Sequence, residues 1–151
     1  MLNFGKKILH YLAYNTQIFI LISISLFLLS LFFPLAYSID RYDVTGHFHS
    51  LSGLLLGWIG VLLGYDLSWL ANVSYLASLI LCKRIEFSFC LSLITLLFAL
   101  SFLTLERRVD LLSWDYLRIT KLGLGYYLWF ASFFVFWLGQ TFLFISQSIK
   151  D

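Results

Sequence analysis

The sequence predicts an all-α polytopic membrane protein of four transmembrane helices, the second broken near Asp66. Three observations carry this. Of 151 residues, 61% are hydrophobic and 12% are charged, against about 25% charged in an ordinary soluble domain. The apolar residues are gathered into long runs between short polar stretches. Each crossing takes about 20 apolar residues, so four crossings leave about 70 residues for loops and ends. That is too few for a separate soluble domain, and residues 1–151 read as a single integral-membrane domain. Soluble, disordered, collagen-like and disulfide-stapled classes are excluded.

The elements follow in order. Residues 1–17 mix Lys6 and Lys7 with Leu2, Phe4, Ile8, Leu9, Tyr11 and Leu12, the pattern of an interfacial segment. The first span covers about 18–36, its apolar run stopping near Pro34. Ala36-Tyr37-Ser38 offers small residues of the kind a signal peptidase cuts, but the polar start and the run are long for a signal peptide. The run therefore reads as an uncleaved span. Residues 37–50 form a polar loop. The second span, 51–82, is interrupted at Gly64-Tyr65-Asp66-Leu67-Ser68. As one straight helix it would be about 48 Å long, well over the roughly 30 Å of hydrocarbon, so either it tilts and protrudes or it breaks. A carboxylate at mid-span costs about 2.5–3.5 kcal/mol on insertion scales, which favours the break. The third span covers 87–105, an interfacial segment 106–121 follows, and the last span covers 122–146.

Lys6 and Lys7 favour a cytoplasmic N-terminus. Four spans then put Lys6, Lys7, Lys83, Arg84 and Lys150 inside and Arg41, Arg107, Arg108, Arg118 and Lys121 outside, an even division. If 51–82 crossed twice, the 106–121 segment would be cytoplasmic and the C-terminus external.

Small residues mark the packing faces, because helices in lipid associate through close backbone approach. Gly53, Gly57, Gly60 and Gly64 share one face of the second span. Ser88, Ser92, Thr95 and Ala99 repeat that spacing on the third, and Gly125, Ser132 and Gly139 form a heptad on the fourth. Matching stripes predict that the second and third spans pack along their small faces. Trp58, Trp69, Trp114, Tyr126, Tyr127 and Trp129 form an aromatic belt at the outer side.

Chemistry-bearing patterns are few. His47-Phe48-His49 puts two imidazoles on one side of an extended strand near Asp40 and Asp43, which with a third ligand would hold zinc. The spacing is common by chance, so the sequence assigns no metal site. Cys82 and Cys90 read as small membrane-helix residues. No nucleophile triad, phosphate loop, paired intramembrane carboxylates or haem ligand pair is present, and the basic residues form no nucleic-acid surface. The expectation is a non-enzyme without cofactor. Asp66, Trp69 and Asn72 are expected near Tyr126, Tyr127 and Trp129, as one partner- or ligand-contact patch in which Asp66 or Ser68 caps the second half-helix.

Ser52-Gly53, Gly57-Trp58, Trp69-Leu70-Ala71-Asn72 and Gly123-Leu124-Gly125-Tyr126-Tyr127-Leu128-Trp129-Phe130-Ala131-Ser132 are motifs in a fixed order. In them residues 52–140 resemble a group of small four-span bacterial inner-membrane proteins with no established activity. Val73 stands where that pattern usually has Pro, which implies a softer break. The resemblance implies an inner-membrane location and four spans, and nothing catalytic. The expected role is an accessory or interaction subunit with a membrane-protein partner or as a homo-oligomer. A small oligomeric transporter or channel subunit with Asp66 on its path is the alternative, as is a membrane immunity or defence protein.

Overall fold

A computed structural model describes residues 16–39, 45–64, 66–104, 107–109 and 116–148. Five helices are α1 (Thr16–Ser30), α2 (Ser50–Leu62), α3 (Leu70–Ile80), α4 (Ile85–Ser101) and α5 (Leu124–Ser148). Four strands are β1 (Pro34–Ile39), β2 (Thr45–His49), β3 (Arg107–Val109) and β4 (Tyr116–Leu122). The interfacial segment 1–17 lies almost wholly outside the described residues, as do Asp40, Asp43 and Trp114.

The strands correct the all-α expectation. They form one antiparallel sheet in the order β2-β1-β4-β3. The first span also ends earlier than its apolar run suggests. Leu31, Phe32 and Phe33 each donate to the carbonyl three residues back at 3.2 Å, and Pro34, which has no N–H to continue the helix, opens β1. Leu35 and Ala36 then face inward as strand residues. The polar loop and the interfacial segment supply the remaining strands. Ala36 pairs with Leu122 and Tyr37 with Lys121, so the C-terminal end of α1 and the N-terminal end of α5 meet at one end of the molecule.

Side-chain contacts give the helix directions. On α1 and α5, Phe19 meets Phe142 and Phe27 meets Phe133, an antiparallel pair. On α3 and α5, Asn72 meets Trp129 and Tyr75 meets Phe133 and Phe136, a parallel pair. The α4 helix returns antiparallel to α5, with Phe89 stacked on Phe144 and the Tyr126 hydroxyl donating to the Ala99 carbonyl.

The interior combines an aromatic core with many buried hydroxyls, and the exterior is apolar. Ser23, Ser30, Ser78, Ser88 and Ser132 are fully buried, while Leu21 is 65% and Ile80 81% exposed. Many inner hydroxyls bond carbonyls of their own helix, as Ser92 does to Phe89 and Ser132 to Trp129. Others cross between helices. Ser78 and Ser88 each donate to the other's carbonyl, at 2.7 and 2.9 Å, and Thr95 donates to Ser74. Ser23 donates to the Ser132 carbonyl at 2.7 Å.

Among the described residues two helices are long and apolar enough to cross a membrane: α4 with its 3-10 extension, Ile85–Thr104, and α5, Leu124–Ser148. The α1, α2 and α3 helices are shorter.

Candidate binding cleft

The glycine stripe of α2 ends where the chain turns back. Gly64 has φ +74°, a left-handed conformation that terminates a helix without steric cost. Asp66 follows, its N–H donating to the Gly60 carbonyl at 3.3 Å. The carboxylate is buried and accepts from the Ser68 N–H at 2.8 Å and from the Ser68 hydroxyl. Leu70, Ala71 and Asn72 each donate three residues back at 3.0 Å, so the chain enters α3 through a tight turn with Asp66 at its start. A carboxylate is favoured there by the free N–H groups of a helix start.

Trp69 locks this turn against α2. Its indole N–H donates to the Leu54 carbonyl at 2.8 Å, and its ring lies over Gly57, where a Cβ would come within 2.6 Å of the ring. Gly60 faces Asp66 in the same way, its Cβ position 3.2 Å from the Asp66 Cβ. The stripe therefore packs on the returning turn and, at Gly53, on Phe48 and Leu35 of the sheet. This corrects the expected pairing of Gly53, Gly57, Gly60 and Gly64 with the third span. The face of α4 bearing Ser88, Ser92, Thr95 and Ala99 is buried, with Ser88 and Thr95 bonded to Ser78 and Ser74 of α3. The heptad on α5 faces α1 and the strand junction. A Cβ on Gly139 would meet Phe19, and one on Gly125 would meet Ser50 and the Phe33 carbonyl.

Asn72 completes a relay. Its amide N–H donates to the Trp69 carbonyl at 3.2 Å, and its side-chain oxygen accepts from the Trp129 indole at 2.9 Å. Leu54, Trp69, Asn72 and Trp129 thus tie α2, the turn, α3 and α5 together. Beside them lies a cavity of about 30 Å³, bounded also by Leu31, Leu35, Ser50, Gly53, Gly57, Ser68 and Phe102. That is room for one or two water molecules.

Trp69, Asn72 and Trp129 are joined as one cluster. Tyr126 turns instead to α4, bonding the Ala99 carbonyl and stacking on Phe102, and Tyr127 is exposed. Of the belt, Trp58 and Tyr127 are exposed, while Trp69 is partly buried and Tyr126 and Trp129 are buried. Gly123 and Gly125 let the backbone of α5 come close, the Gly123 Cβ position being 2.0 Å from the Pro34 carbonyl. Sequence reasoning missed Ser50, which donates to the Phe33 carbonyl at 2.9 Å. Among the described residues no three His, Cys, Asp or Glu side chains converge to hold a metal.

Comparison with known proteins finds no matching family model, curated protein or solved structure.

Proposed function

We propose that this chain is a four-crossing protein of the bacterial inner membrane, acting as a non-enzymatic accessory or interaction subunit of a larger membrane assembly. The observation that carries the reading is the distribution of side chains: serine and threonine hydroxyls buried beside an aromatic core, and large aliphatic side chains exposed on every helix. Water would select the opposite arrangement, whereas lipid solvates Leu and Ile and leaves polar groups to one another. In this reading α1, α3, α4 and α5 cross. The sheet caps the outer end, and α2 stays at that end because Trp69 returns to Leu54. With its flanking turns α3 runs from Leu67 to Cys82, about 24 Å, a length that tilt or local thinning accommodates. The pairing of β1 with β4 supports both loops lying on one side, with the termini cytoplasmic.

The Trp69–Asn72–Trp129 cluster supports a contact role, since it sets an aromatic-lined hollow between elements rather than a reactive group. The resemblance to small inner-membrane proteins supports the location and the number of crossings. The test is gentle solubilisation into lipid nanodiscs followed by mass measurement. An assembly larger than one chain is expected, and it should shrink in Asn72→Leu without loss of the folded protein. A monomer under all conditions would overturn the interaction reading.

A further inference from the structure

We propose that His47 and His49 chelate a single divalent transition-metal ion, Cu²⁺ in preference to others, on the exposed face of the sheet. The inference is independent of the cleft and of the proposed assembly.

An extended strand places alternate side chains on the same face. In β2, Phe48 turns inward onto the core cluster while His47 and His49 are exposed. Their ring centres are 4.7 Å apart, with the planes at 79°. Among the described residues neither imidazole has a hydrogen-bond or ion-pair partner, and the two rings touch each other edge to face.

The separation suits a shared ion. An imidazole nitrogen binds at about 2.0 Å and stands about 1.2 Å from its ring centre, so each centre lies about 3.2 Å from the metal. Two such rings meeting at a right angle have centres about 4.5 Å apart, and at a tetrahedral angle about 5.2 Å. The observed 4.7 Å lies between the two values, a separation that lets both rings reach one ion. Cu²⁺ heads the affinity order for nitrogen and oxygen sites. Tyr37 stands opposite His47 in the sheet register, and Lys121 stands opposite Tyr37. The cross-strand neighbour nearest the pair is therefore a phenol, with the ammonium one strand further away. Water completes the coordination.

The experiment titrates Cu²⁺ into the tag-free full-length chain in detergent, by calorimetry and electron paramagnetic resonance. One ion per chain is expected, with a spectrum split by two imidazole nitrogens. Losing even an outer-shell partner of a metal site costs about 10–100-fold in affinity. His47→Ala and His49→Ala should each cost at least that, while His10→Ala changes nothing. His47→Ala and His49→Ala should keep the parent melting temperature, since both residues are exposed. Two ions per chain, single-nitrogen splitting, or undiminished affinity in either His47→Ala or His49→Ala would overturn the chelate.

Discussion

The Trp129 indole N–H donates to the side-chain oxygen of Asn72 at 2.9 Å, joining α5 to the start of α3 across 57 positions of sequence. Both side chains are buried, so removing either leaves the other without its partner. Trp129→Phe should destabilise the folded chain by about 1–3 kcal/mol, the cost of a buried polar group left without its partner. Asn72→Leu in the same background should recover part of that loss. A thermal double-mutant cycle in detergent measures the coupling, and strictly additive effects would show that the bond contributes nothing.

Gly57 owes its smallness to Trp69. Gly57→Leu should push the indole off the helix and lower stability by about 1–3 kcal/mol. Trp69→Ala, which vacates the space, should relieve much of the added strain. Tryptophan fluorescence and melting temperature report both effects. If Gly57→Leu is as stable as the parent, the ring does not sit there.

Gly64 has open space around its Cβ position, yet its φ of +74° disfavours any L side chain. Gly64→Ala is expected to cost about 1–2 kcal/mol through backbone strain alone. Gly64→Asn should cost less, because Asn tolerates the left-handed region. Equal melting temperatures for the two variants would contradict this.

Gln140 is fully buried on α5, and among the described residues neither its amide nitrogen nor its amide oxygen has a hydrogen-bond partner. Gln140→Leu should therefore raise the melting temperature, since it removes two unpaired polar atoms from an apolar setting. A lower melting temperature would mean that the amide gains a partner in the membrane.

Thr45 and Lys121 are exposed on strands that flank β1, so they share one side of any membrane the chain crosses. In a Cys82→Ser/Cys90→Ser background, Thr45→Cys and Lys121→Cys should react together with an impermeant thiol reagent applied outside whole cells. Ser148→Cys should react only after the membrane is opened. Labelling of Ser148→Cys together with Lys121→Cys would overturn the proposed crossing pattern.

The sequence by itself determined where the apolar runs lie and that Gly64 and Asp66 interrupt the longest of them. It also marked Trp69, Asn72 and Trp129, because paired indoles and a carboxamide inside apolar runs need hydrogen-bond partners. What covers each face was decided only by the tertiary structure. Periodicity tells which side of a helix is buried, but a glycine stripe fits any close neighbour equally well. That of α2 met its own returning turn rather than α4. The sheet was hidden for a related reason. Leu35 and Ala36 continue an apolar run and so read as helix, and their strand partner Leu122 lies more than eighty positions away. Strand pairing at that separation depends on which helix ends the bundle brings together, and no local pattern records it.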